Sequence, residues 1–196
     1  MDHNIAGSET SSPPDWAGRR ADARRNHDEV FAAAIEAFAE HGEDATIPEI
    51  AARAGVGKAT VYRSYPTKAA LVEAVAAEHL VWLEERATAA AKLPDAFAAL
   101  TELLGDIAER LAGDRLFSHV LVRADQLREA TAQGGTFAGI LERAKDQGRL
   151  RADVTLEDIR VLVGGYSRIL VELNMRESDQ WRRYSRLVLN AFRPDP

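Results

Sequence analysis

Apolar residues recur along this chain at helical spacing, and β-branched alternation is absent over any strand length. Val30, Phe31, Ala34, Ile35 and Phe38 form one such stripe, which predicts a helix from about Arg20 to His41 with a single buried face. Breakers punctuate the pattern at helical intervals: Gly42, Gly55, Pro66, Pro94, Gly113, Gly134-Gly135 and Gly148. The expectation is an all-α protein of about nine helices.

Local signals place the starts and stops. Gly42 ends the first helix as a left-handed cap. Thr46 opens the second, and Glu49 three residues on completes a capping box, with Pro48 tolerated in the first turn. That helix ends near Arg53-Ala54, Gly55 supplies a tight turn, and a third short helix spans about 57–64 before Pro66. Thr67 caps a long fourth helix from Lys68 to about Ala91. Five more are expected near 95–112, 115–124, 126–147, 155–174 and 178–192, the fourth of these capped by Thr155 with Asp158. Residues 1–18, rich in Ser, Pro and Gly, are expected to be a flexible arm. Residues 19–66 then form one domain and 67–196 another.

Composition narrows the class. The chain has 196 residues, 46% of them hydrophobic, enough for a buried core, and no cysteine. Disulfides, zinc thiolates and thiol nucleophiles are therefore excluded, and a reducing cytoplasm fits. The N-terminus lacks a basic start followed by an apolar run, so no signal peptide is expected, and no apolar run approaches a membrane span. His79 and His119 lack a ligand-spaced partner, so no metal or other cofactor is expected.

Charge changes the picture more. The formal net charge is -6, yet residues 50–71 carry Arg53, Lys58, Arg63 and Lys68 and no acid. A local basic face, not the net charge, decides whether nucleic acid is a partner. Two short helices joined by a glycine turn form a helix-turn-helix, whose second helix can enter the major groove. Val61 and Tyr65 can pack inward with Val56, Ile50 and Phe38, which leaves Lys58, Thr60, Tyr62 and Arg63 on the outer side. Gly57 and Ala59 are small enough for close approach. Lys58 can donate to guanine or phosphate, Thr60 can meet a thymine methyl or a phosphate, and the Tyr62 hydroxyl can reach a phosphate. Lys68 opposes the helix-dipole preference for acids at a helix start, and a phosphate would give it a partner. Thr46 and the arginines Arg24 and Arg25 complete the candidate DNA-binding set. The other reading of these residues is a solvated surface on a small helical bundle.

The stretch from about Arg24 to Val75 resembles the N-terminal domain of the TetR family of bacterial transcriptional regulators. The residues that carry the resemblance are Ile50-Ala51, Ala54-Gly55-Val56, Thr60, Val61, Tyr62, Arg63, Lys68 and Leu71, with Ser64-Tyr65 where the family usually has His-Phe. The resemblance implies a repressor that binds near-palindromic double-stranded DNA as a homodimer and is released by a small-molecule effector. It also implies that Arg19, Arg20, Arg24 and Arg25 work near the minor groove or the phosphates; otherwise they are a basic tail adding non-specific affinity.

The remaining two thirds are expected to hold the ligand site and the dimer contact. Trp82, Phe97, Leu104, Phe117, Leu121 and Phe137 are candidates for an apolar pocket, with Arg123 and Gln126 as polar groups or ordinary surface residues. Tyr166, Ile169, Leu173, Tyr184, Leu187 and Val188 lie on apolar helix faces that either build a four-helix dimer contact or close a monomer core. Gly164-Gly165 in mid-helix costs about 1 kcal/mol per glycine relative to alanine, which close helix approach would offset. A ligand-independent architectural DNA-binding protein is the alternative function. An enzyme is not expected, since no Ser-His-Asp or paired-carboxylate arrangement stands out.

Overall fold

A computed structural model describes residues 16–121 and 135–194, and every regular element among them is helical. In chain order these are α1 (Trp16–His41), a one-turn 3-10 helix (Gly42–Asp44), α2 (Ile47–Arg53), α3 (Lys58–Ser64), α4 (Lys68–Ala90) and α5 (Ala96–Gly113), followed by α6, described over 115–121. Then come α7 (Thr136–Asp146), α8 (Leu156–Glu172) and α9 (Ser178–Ala191). The helix α1 is described from Trp16 onward, so residues 16–18 are helical. Residues 1–15 lie outside the described part.

The expected helix over 126–147 is corrected at its start: α7 begins at Thr136, with Gly135 outside it at φ -128°. Glycine loses more backbone freedom in a helix than other residues, which favours a start after Gly135; residues 126–134 of the expected helix lie outside the described residues. Both capping boxes form. Thr46 N–H donates to Glu49 Oε2 at 2.7 Å, and Thr155 N–H donates to Asp158 Oδ2 at 2.8 Å. Hydrogen bonds from Thr46, backbone first and hydroxyl second, hold the Glu49 carboxyl below the usual carboxylate range, and those from Thr155, hydroxyl first and backbone second, do the same for Asp158.

Buried side chains form two clusters. Val30, Phe38, Ile50, Val61, Leu71 and Val75 anchor the first, which packs α1 to α3 against the start of α4. Leu83, Leu100, Leu104, Ile140, Trp181 and Leu189 belong to the second, built around α5. The helix α9 lies along α5; Gly105 lets Arg182 of α9 pass to its bond with Glu109, because a Cβ there would meet Arg182 Nη1 at 3.0 Å. Helices α4 and α6 serve both clusters. Leu116 and Val120 face the first, and Phe117 faces the second.

A polar group sits on α4 between the positions serving the two clusters. His79 is only 1% exposed and accepts at Nδ1 from Arg110 Nη2 at 2.9 Å. Its proton is therefore on Nε2, which lies 3.4 Å from Asp114 Oδ2. The other Asp114 oxygen accepts from Phe117 N–H at 3.0 Å and caps α6. The Arg110 guanidinium covers Trp82 at 4.5 Å from the ring centroid. Burial pushes the His79 imidazole below its ordinary value; Asp114 pulls it up and Arg110 pushes it down.

The direction sets a pH dependence. The unfolded chain takes up a proton on His79 at the ordinary histidine value, and the folded chain does so only at lower pH. Stability from this group is thus full above about pH 6.5 and is lost as pH falls through the folded value. One proton contributes at most about 1.4 kcal/mol per pH unit. Urea unfolding between pH 7.5 and 5.5 should show the loss, and His79→Gln should flatten it. An identical pH dependence in the variant would place the titrating group elsewhere.

Among the described residues, no helix is long and apolar enough to cross a membrane, and no group of three or more His, Asp or Glu could hold a metal ion.

Candidate nucleic-acid interface

The two short helices stand on the first cluster. The capping box starts α2 at Thr46 and buries Ile47, Ile50 and Ala51. Gly55 takes φ +66°, a conformation that a Cβ would strain, and Val56 N–H closes the turn onto Ala51 O at 3.0 Å. Gly57 stays extended and opens α3. Val61 and Tyr65 are buried beneath α3, while Lys58, Ala59, Tyr62 and Arg63 are exposed and Thr60 is half-buried. Tyr62 is 49% exposed, a large share for an aromatic ring with no role in the core.

Charge on this surface is sorted by pairing. Arg53 turns back to α1, where it donates to Glu40 at 2.7 and 2.9 Å and to Glu36 at 3.3 Å. This pairing holds Glu40 below the usual carboxylate range and raises the guanidinium further. Arg53 is thereby committed to holding α2 on α1. Arg63 lies along its own helix, donating to Ala59 O at 3.2 Å and to Thr60 Oγ1 at 3.3 Å. The Lys68 ammonium donates to Glu43 O and ties the start of α4 to the turn after α1, leaving it further protons to donate. Thr46 is exposed, with its hydroxyl shared with Glu49 at 2.9 Å.

Arg24 and Arg25 project from the exposed N-terminal part of α1, with Arg25 lying 3.7 Å from Asp22. Close to them lies a residue that sequence patterning passes over. His27 stacks on Tyr65 at 5.2 Å between ring centroids, and its Nε2 is 3.0 Å from the Tyr65 hydroxyl. The two are far apart in the chain, so no spacing signal could have joined them.

In the second cluster, Trp82, Phe97, Leu104, Phe117, Leu121 and Phe137 come together as packed core, with Trp82 edge-on to Phe117 at 5.5 Å. Arg123 and Gln126 lie outside the described residues. Arg110, not singled out in the sequence, is the cation against Trp82 and Phe117, and Arg193 lies over Phe97. A cleft of about 490 Å³ opens elsewhere, lined by Ser118 and His119 of α6 and by Gly164, Ser167 and Arg168 of α8.

The candidate dimer residues divide. Tyr166 turns inward and its hydroxyl meets Ser185 Oγ at 2.7 Å; Tyr184 stacks on it at 6.1 Å and Val188 packs against the core. Ile169, Leu173 and Leu187 are exposed, and so are Leu162 and Val161.

Residues 30–75 match the family model for bacterial regulatory proteins of the tetR family. Solved structures agree along most of the chain. A TetR transcription regulatory protein from Mycobacterium vanbaalenii is 29% identical, with TM-score 0.54, covering 90% of this chain and 99% of its own. The TetR regulator SCO0520 from Streptomyces coelicolor is 27% identical, with TM-score 0.55 and coverage of 87% and 99%. The chain carries the helix-turn-helix domain of the TetR family. SmeT, the repressor of the Stenotrophomonas maltophilia multidrug efflux pump SmeDEF, shares the fold at 20% identity, with TM-score 0.64 and coverage of 89% and 93%. No curated protein matches the chain. In TetR terms α2 and α3 are the helix-turn-helix, and the TetR fold supports a DNA-binding transcriptional regulator.

Proposed function

We propose that this protein is a homodimeric repressor that binds a near-palindromic operator through α3 and leaves it when a small molecule binds the second cluster. The observation that carries the reading is the sidedness of α3: Val61 and Tyr65 are buried on one side, and Lys58, Tyr62 and Arg63 stand exposed, with no acid on the helix, on the other. Lys58 and Thr60 face base edges, and Tyr62 and Lys68 take phosphates. Gly57 and Ala59 admit the backbone, Thr46 holds the start of α2 at the phosphates, and Arg24 and Arg25 reach past the groove.

Residues 19–66 act as the reading head and 67–196 as the body that pairs and senses. Leu162, Gly165, Ile169 and Leu173 fall on one stripe of α8, and a Cβ at Gly165 would meet nothing within 4 Å. A second copy can approach closely there, which offsets the cost of the glycine. Trp82, Phe97, Leu104, Phe117, Leu121 and Phe137 form the apolar part of the effector site, and Arg123 is its candidate polar group from the sequence. Effector binding shifts the protein only by its differential affinity for the two states. The helix α4 carries the shift, since it serves both clusters. Such a regulator works in the cytoplasm, where the DNA is.

The test is operator binding to DNA upstream of the protein's own gene. Lys58→Ala and Tyr62→Ala should each weaken it about tenfold, the usual loss for a charge-assisted hydrogen bond, with the mass of the assembly unchanged. A panel of metabolites should contain one that releases the DNA. Retained affinity in both variants would remove α3 from the interface. Equal affinity for unrelated duplexes with no release would favour the architectural alternative.

A further inference from the structure

Among the described side chains of α1 the first buried one is Val30; among residues 22–29 all are exposed except half-buried Asn26. At about 1.5 Å per residue, residues 22–29 form about 12 Å of exposed helix leading up to the first cluster. It carries Arg24 and Arg25. A helix end without tertiary contacts frays, and side chains on it lose their aim. Something must hold this segment if its arginines are to meet DNA at a defined place.

Tyr65 and His27 supply such a tie. Tyr65 closes α3: its N–H donates to Val61 O at 2.8 Å, and its ring is buried. Its hydroxyl reaches His27 Nε2 at 3.0 Å, the two rings stack at 5.2 Å, and Phe31 stacks on the same tyrosine at 6.5 Å. Burial first, and the Asp28 charge second, push the Tyr65 phenol up, so it keeps its proton and can donate it. With Tyr65 donating, the His27 ring carries its own proton on Nδ1, the atom 3.5 Å from Asp28 Oδ1. Arg24 lies one turn before His27 and Asp28 on the same face of α1.

We propose that Tyr65 and His27 are positioning residues for DNA binding: their hydrogen bond fixes the arginine-bearing start of α1 against the end of α3. The inference rests on the DNA-binding reading above. It makes the last residue of the reading element, buried and out of reach of DNA, the determinant of contacts made by a different helix. A phenylalanine at position 65 would fill the same core space without the bond.

The experiment uses the full chain and a duplex selected by the wild-type protein from a randomised pool, with affinity measured over a range of salt. Tyr65→Phe should bind about fivefold more weakly, with a salt slope shallower by about 0.9, the signature of one lost phosphate contact. Arg24→Ala/Arg25→Ala should also bind more weakly, and adding Tyr65→Phe to that pair should change nothing further. In the free protein, Tyr65→Phe should speed amide exchange over 24–29 and leave α5 as it was. A purely structural role would lower affinity equally in both backgrounds. Wild-type affinity in Tyr65→Phe, or a full additional loss in the triple variant, would overturn the proposal while leaving α3 as the reader. Failure of the wild type to select any duplex would overturn the DNA-binding reading and this inference together.

Discussion

Ile169→Glu combined with Leu173→Glu is expected to leave a folded monomer whose operator affinity is at least about a hundredfold lower. Both side chains are more than half exposed on α8, so the monomer core is untouched by the change. In a twofold contact the same patch meets itself, so two substitutions place four carboxylates in one apolar interface. Breaking into such a surface with an unpaired charge costs several kcal/mol per carboxylate, more than a standard interface has in surplus. The monomer keeps an intact α3 but reads one half-site only. It loses the effective concentration that tethers the second head, which is worth about two to four orders of magnitude. Light scattering and operator titration on the same preparation check both parts. A variant that remains dimeric would move the interface off α8. A monomer with undiminished affinity would mean that DNA binding needs no second head.

Trp181→Ala should lower stability by about 3–5 kcal/mol, a large part of the 5–15 kcal/mol that holds a typical domain together. Trp181 is wholly buried where α9 meets the second cluster, and its Nε1–H donates to Met175 O at 2.9 Å. It stands edge-on to Tyr166 at 6.3 Å, and Tyr166 joins α8 to α9 through Ser185. Ser185 in turn donates to Leu104 O at 3.2 Å on α5. The substitution therefore removes packing and leaves a carbonyl without its donor, at the point where three helices meet. For a chain of this size the midpoint of thermal unfolding should fall by about 10 °C, and Trp181→Phe should recover more than half of that. A fall below about 3 °C would show that α9 is not a principal support of the body.

What could be read from the sequence, and what could not, follows from the range of each interaction. The capping boxes at Thr46–Glu49 and Thr155–Asp158 close over three residues, so the residue types imply the bonds. The inward positions Val61 and Tyr65 follow from helix geometry in the same way. The start of α7 is also local: Gly135 lies outside the helix, and a glycine is a stop signal at a helix end. Long-range pairings left no such trace. Arg53 looks like a member of a basic face, yet Glu36 and Glu40 of α1 take it. Lys68 looks free, yet it donates to Glu43. The apolar residues of α8 and α9 share one periodicity. Only packing separates Ile159, Val163 and Leu170, which face α5 and its neighbours, from Leu162, Ile169 and Leu173, which face outward.

The sequence by itself determined the helical class, the helix-turn-helix and the outward set on α3, because helix periodicity, caps and turn glycines act within a few residues. Only the tertiary structure decided which charges remain available and which apolar stripes are surface. It alone brought His79, Arg110 and Asp114 together inside the body, and His27 onto Tyr65. Those outcomes depend on which helices come into contact, and burial and pairing are properties of that contact, not of any one segment.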